Sequence, residues 1–141
     1  MVVYDIPCNG CHKQKGYLGE TSWNLEDRCG PPNGHARDLK NIDKNPRATA
    51  LVHHVDTTKH AFNFDEKRVL KKVRHKGLLK INETNQILLH EGYAVNFKKD
   101  AEHVSPMFYN LLKQSERMKA VNKMSKCKPR STSLSTPKYN Y

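Results

Sequence analysis

The chain reads as an α+β domain, a small three-stranded antiparallel sheet flanked by helices. Two short β-prone runs near the N-terminus, around Val2-Val3-Tyr4 and Tyr17-Leu18-Gly19, are joined by a polar loop. Apolar residues then recur with helical spacing, as at Ala48, Leu51, Val52 and Val55. A further β-prone stretch falls between two helical patterns, which suits helices packed on one small sheet. The 141 residues suffice for one domain with a real core and are too few for two ordinary ones. There are no internal repeats.

Each element has a local reason. Val2, Val3, Tyr4 and Ile6 make the first strand, which Pro7 stops. The polar loop of residues 8–16 leads to the second strand at Tyr17-Leu18-Gly19, so the two pair antiparallel. Asn24 is an N-cap, with Glu26 and Asp27 in the first turn and Asp27 placed as in a capping box. Gly30-Pro31-Pro32 must break that helix, and a helix resumes near His35 to Lys40. The stripe Ala48, Leu51, Val52, Val55 predicts an amphipathic helix. Phe62 and Phe64 alternate with polar neighbours and Val69-Leu70 follows, which puts a third strand within 62–73. Leu78, Ile81, Asn85 and Leu88 mark a helix across 77–90. Phe97 and Ser105-Pro106-Met107-Phe108 suggest a closing loop and a short helix reaching Leu112. The domain is therefore expected to span 1–112, with 113–141 a basic, disordered tail.

Charge points to a polyanionic partner. Lys plus Arg is 25 against 14 Asp plus Glu, a formal net charge of +11. Residues 113–141 hold eight of the cations and one acid, Glu116, and run into the Ser/Thr/Pro-rich segment 131–137. Such a tail either holds phosphates by counterion release or is a solvated extension. No apolar run approaches the roughly 18–20 residues of a membrane helix. The first residues show neither a basic start nor an apolar stretch, so a nuclear or cytoplasmic rather than secreted protein is expected. The four cysteines then read as reduced thiols or metal ligands.

Two of them have metal-like spacing. Cys8-Asn9-Gly10-Cys11 is a C-x2-C knuckle, and His54 and His60 form H-x5-H. A Cys2His2 set with these short spacings suits tetrahedral zinc, and a metal cross-link would stiffen a long polar loop on a small sheet. Two reduced thiols and two loop histidines are the simpler alternative. His53 is the nearest rival to His54, and Cys29 and Cys127 have no partner at such spacing.

An ordered series of motifs resembles the GIY-YIG endonuclease domain in the version carried by Penelope-like retroelements. Val2-Val3-Tyr4 stands at the first motif, and Tyr17-Leu18-Gly19-Glu20-Thr21 at the second. Asn24 to Arg28 resembles the start of the first helix, and His35-Ala36-Arg37-Asp38-Leu39 its end. The stretch from His53-His54 to His60-Ala61-Phe62-Asn63-Phe64-Asp65 resembles the retroelement His segment. Glu83 to Ile87 resembles the acidic position, and Ser105-Pro106-Met107-Phe108-Tyr109 the domain end. The series covers about residues 2–112. On a helix, Glu83 lies four residues from both Leu79 and Ile87, so its face is partly apolar.

The resemblance implies hydrolysis of DNA phosphodiester bonds with one divalent ion, giving single-strand nicks. Glu83 would hold Mg²⁺ or Mn²⁺, and Arg28 would stabilise charge on the phosphate. Tyr4 would activate water or shuttle its proton, and Tyr17 would position the nucleophile or phosphate. His35 would be an auxiliary polar group. Cys8, Cys11, His54 and His60 would hold structural Zn²⁺, matching the family's two cysteines and two histidines. The family normally carries this domain fused to a reverse transcriptase, which is absent here, so the chain looks like a detached and partly decayed copy or a sequence that begins inside such an element.

The chain departs from the family pattern in places. Val2 replaces the first motif's glycine, and twelve residues separate Tyr4 from Tyr17. Six residues, with two prolines among them, separate Arg28 from His35, and Gly34 stands where an acid is usual. That interruption is expected to keep Arg28 and His35 from facing one site and to leave nicking weak or absent. The alternatives are a catalytically inactive, zinc-stabilised nucleic-acid-binding module and a small basic structural protein of a ribonucleoprotein.

Overall fold

A central strand organises the domain. In the computed structural model, which describes residues 1–102 and 104–125, β1 (Val2–Pro7) runs between β2 (Gly16–Thr21) and β3 (Arg68–Lys72). Both pairings are antiparallel. The β1–β2 register sets Tyr4 opposite Gly19 and Ile6 opposite Tyr17, so both tyrosines lie on one face of the sheet. A register shift between Val3 and Tyr4 bends the pairing with β3, whose outer side chains are mostly exposed. The expected α+β architecture with a three-stranded antiparallel sheet is what the chain forms.

Five α-helices and two short 3-10 helices (Lys76–Leu78 and Lys98–Ala101) complete the described fold: α1 (Leu25–Cys29), α2 (Gly34–Lys40), α3 (Ala50–Thr58), α4 (Leu79–Leu89) and α5 (Pro106–Ser125). Asn24 caps α1 by accepting from Glu26 N at 3.0 Å, one residue short of the Asp27 position that a capping box uses. Thr49 caps α3 through Val52 N. Residues 30–33 separate α1 from α2 and include a cis Pro31–Pro32 peptide. The third strand is confined to Arg68–Lys72, while Phe62 makes an isolated bridge to Cys8.

The main core gathers Tyr4, Ile6, Cys8, Tyr17, Cys29, Ala50, Leu51, Val52 and Phe62. Each large apolar side chain buried here stabilises the fold by about 1.5–3 kcal/mol. A smaller cluster joins Val3, Val73 and Leu79. The buried face of α4 carries Leu79, Glu83, Thr84 and Ile87, whereas Leu78 and Ile81 of the apparent apolar stripe are exposed. Among the described residues no helix is long and apolar enough to cross a membrane.

The boundary at residue 112 needs correction. α5 continues from Pro106 to Ser125, so residues 113–125 are helical rather than a disordered tail. Nine of these thirteen residues are Lys, Gln, Glu, Arg, Met or Ala, strong helix formers, and neither Gly nor Pro interrupts the run. High charge alone is a poor guide to disorder in such a segment. The rest of the expected tail, including Cys127, lies outside the described residues.

Candidate functional site

Tyr4 and Tyr17 share a crowded pocket that a glycine makes possible. A Cβ at Gly19 would lie 2.5 Å from Tyr4 Oη and 2.9 Å from Tyr17 Cε1, so a larger residue would push the rings apart. The two rings stand 6.4 Å apart, centroid to centroid. His35 completes the cluster, edge-on to Tyr17 at 5.2 Å and bonded through Nε2 to Tyr4 Oη at 2.7 Å. The Arg28 guanidinium engages the Tyr4 hydroxyl from α1.

Arg28 and His35 therefore do reach one site, contrary to the expectation drawn from the broken helix. Gly34 is the reason. It adopts φ +63, and a Cβ there would sit 1.9 Å from the Arg28 carbonyl oxygen. With no side chain, Gly34 packs directly on the end of α1 and starts α2 in a direction that turns His35 inward. A continuous helix is one way to link the two residues; a break closed by glycine is another.

Burial sets the protonation of this cluster. His35 is fully buried, and burial, aided by the Arg28 charge, pushes its pKa down to about 3. Its imidazole is thus neutral at physiological pH. Tyr4 is raised well above the usual phenol value by burial and by Tyr17, against the opposing pull of Arg28. Tyr17 is raised by burial and then by the nearby Glu83 carboxylate. Burial works against the charge of Arg28, but Tyr4 and Tyr17 outweigh it and hold the group cationic. With Arg28 facing the Tyr4 oxygen, the Tyr4 proton points to His35 Nε2. The ring's own proton then sits on Nδ1, a buried atom with no hydrogen-bond partner among the described residues.

Glu83 comes to the cluster from α4. It is buried, and burial raises its pKa, with Glu20 and Asp100 adding to the rise and Lys80 opposing it. Lys80 is its ion-pair partner. The ammonium sits beside the carboxylate, and Glu20 and Asp100 lie near enough to act on it electrostatically. A hard cation that keeps most of its waters can use a single carboxylate.

The second site lies at the far end of β1. The Sγ atoms of Cys8 and Cys11 and ring nitrogens of His54 and His60 all lie within 4.8 Å of one another. Cys8 Sγ is 3.4 Å and Cys11 Sγ 3.6 Å from His54 Nε2, and Cys11 Sγ is 3.2 Å from His60 Nδ1. Zinc bonds of ~2.3 Å to sulfur and ~2.0–2.1 Å to nitrogen at a tetrahedral angle put S and N about 3.6 Å apart. The three S–N distances are within a few tenths of an ångström of that spacing, so the donor set suits a tetrahedral ion. A Cβ at Gly10 would lie 2.3 Å from the His60 ring, so the knuckle's glycine is what lets His60 close over it. Burial, then His60, Lys15 and His53, lower the His54 pKa and favour the neutral imidazole that binds metals. His53 instead packs on Phe97, 5.6 Å between centroids, so His54 is the one of the pair that belongs to the donor group.

Two supporting residues left no mark in the sequence pattern. Asn96 bonds both backbone groups of Leu18, accepting from N at 3.0 Å and donating to O at 2.7 Å, and so replaces a missing strand neighbour for β2. Asp5, fully buried, takes Arg68 Nε at 2.7 Å and Tyr93 Oη at 2.8 Å, tying β1 to β3 and to the loop after α4. Their partners are 63 to 88 residues distant in the chain, beyond any local signal. Comparison with protein-family models, curated proteins and solved structures gives no match.

Proposed function

We propose that the chain is a metal-dependent DNA endonuclease of the GIY-YIG kind, braced by a Cys2His2 zinc centre. The observation that carries the reading is the Tyr4–His35 hydrogen bond with Tyr17 and Arg28 packed around it, drawn from four separate elements. Arg28 is permanently cationic and offers paired N–H groups to phosphoryl oxygens as negative charge builds there. Tyr4 passes a proton taken from water on to His35 Nε2, which is free to accept it. A phosphate on Arg28 offsets one of the two influences that keep His35 weakly basic, so substrate favours that transfer. Tyr17 orients the attacking water or the phosphate. Glu83 would hold Mg²⁺ or Mn²⁺ once Lys80 moves aside, and the bound ion supplies charge stabilisation at the leaving oxygen. The thiolate ligands of the zinc centre suit a reducing compartment, the nucleus or cytoplasm.

A second reading is a nucleic-acid-binding module without catalysis. It is favoured by the burial of Tyr4 and His35 and by the Lys80 pairing of Glu83. Plasmid nicking separates the two. The zinc-loaded chain is expected to convert supercoiled plasmid to open circles with Mg²⁺ or Mn²⁺, and Tyr17→Phe to do so more slowly. Binding to the plasmid without any metal-dependent nicking would favour the second reading.

A further inference from the structure

The only tryptophan of the chain stands in solvent at the rim of the tyrosine cluster. Trp23 is 64% exposed, although an indole is among the most favourable groups to bury. Its position is not the slack of a long loop. Thr21, the last residue of β2, is buried and accepts from Trp23 N at 3.0 Å, and Asn24 on the other side caps α1. The backbone is thus pinned at both ends while the ring is left bare.

Trp23 lines a shallow, open depression of about 340 Å³ together with Glu20, Thr21, Ser22 and Arg28. The chemistry of its walls is divided. Arg28 supplies a cation for a phosphate, Trp23 a flat face, and Glu20, Thr21 and Ser22 polar groups able to meet a base edge. The Glu20 carboxylate opposes a second phosphate here but accepts from an exocyclic amine such as those of cytosine and adenine. In an intact duplex the faces of each base are covered by its neighbours, so an indole has nothing to stack on.

We propose that Trp23 stacks on one unpaired nucleobase beside the phosphate held by Arg28, so that the substrate is DNA with an unstacked nucleotide rather than uninterrupted duplex. This rests on the nuclease reading for its choice of nucleic acid, and it names the substrate class of that site.

Because Trp23 is the sole tryptophan, emission excited at wavelengths too long for the six tyrosines to absorb reports on it alone. The full zinc-loaded chain carrying Glu83→Ala, to prevent cleavage, is titrated with a short labelled single strand and with the blunt duplex of the same sequence. Binding is read by anisotropy and stacking by quenching of tryptophan emission. The expected result is quenching by the single strand and little by the duplex. Trp23→Ala should weaken single-strand binding by about 5- to 150-fold and leave duplex binding unchanged, and Trp23→Phe should restore most of the loss. Single-strand binding with unchanged emission, no single-strand binding, or equal losses for both forms in Trp23→Ala would overturn the proposal. Quenching in a chain whose Glu83 form never nicks DNA would leave the stacking site standing and remove the nuclease reading.

Discussion

The Cys/His group and the tyrosine cluster are built by opposite means. The first brings four donors together from a knuckle after β1, from α3 and from the segment after it, with three of the four partly exposed. Only Cys8 of the four is fully buried, in the main core, so an ion at this donor group would tie the more exposed Cys11, His54 and His60 to it. The second is almost closed to solvent and is held by ring packing, by the Gly19 and Gly34 approaches and by hydrogen bonds. The first offers four donors that an ion could tie together, whereas the second is held by core packing. Perturbing each should therefore leave different signatures.

The largest difference is expected on chelation. Structural zinc can contribute on the order of 10–16 kcal/mol in zinc-finger peptides. Here the rest of the core remains, so EDTA or His60→Ala should cost several kcal/mol rather than unfold the chain outright. A stoichiometric zinc content in the native chain, a lowered Tm in EDTA and no EDTA response in His60→Ala would together sharpen the contrast. A Tm indifferent to chelator would break it.

Gly34→Ala probes the other site. A left-handed non-glycine residue costs about 1–3 kcal/mol, and the added methyl also meets the Arg28 carbonyl. The Tm should fall by an amount unaffected by zinc. If the nuclease reading holds, nicking should fall by about 10²–10³, as for loss of one aligned charge-stabilising group. Deleting three residues between Cys29 and Gly34 should do the same. Read from the sequence alone, the interruption is instead what keeps Arg28 from His35 and leaves nicking weak or absent.

That reversal shows where sequence reasoning stops. The strands, the α1 cap, the break at Gly30-Pro31-Pro32 and the Cys8/Cys11 and His54/His60 spacing were all legible, because each is written in local chemistry or short repeats. The meeting of Arg28 with His35 was not. It depends on the φ of Gly34 and on how α2 packs against α1, neither of which has a local signature. Gly34 read as a missing acid, whereas its lack of a side chain is what the geometry uses. α5 was underestimated because its positive charge suggested disorder, while its propensity favours helix. Asn96, Asp5 and Tyr93 needed the tertiary structure to be seen at all.

A smaller contrast lies in pH. His35 has a folded pKa of about 3, below its usual unfolded value of about 6.5. Between those values the unfolded chain binds more protons, so stability from this group is complete above about pH 6.5 and is lost as pH falls. By pH 5 the loss should be about 2 kcal/mol. Zinc release also destabilises at low pH, so the measurement is the Tm difference between the native chain and His35→Gln across pH 7 to 4.5. That difference should shrink as pH falls. A constant gap would mean that His35 does not hold its neutral form in the fold.

The smallest effect is expected at Lys80. Its ammonium pairs with Glu83; if that carboxylate holds the divalent ion, Lys80→Met should lower the Mg²⁺ concentration for half-maximal nicking a few-fold. An unchanged or raised requirement would argue that Glu83 does not bind the ion.

The most direct measurement compares nicking of supercoiled plasmid by the zinc-loaded native chain, Glu83→Ala and Arg28→Ala, each checked for zinc content and Tm. The expected result is metal-dependent open circles from the native chain and at least a 10²-fold slower rate from both variants, with zinc content unchanged in all three. Equal rates in the three proteins, or no metal-dependent nicking by a folded and zinc-loaded native chain, would contradict the assignment of chemistry to the tyrosine cluster.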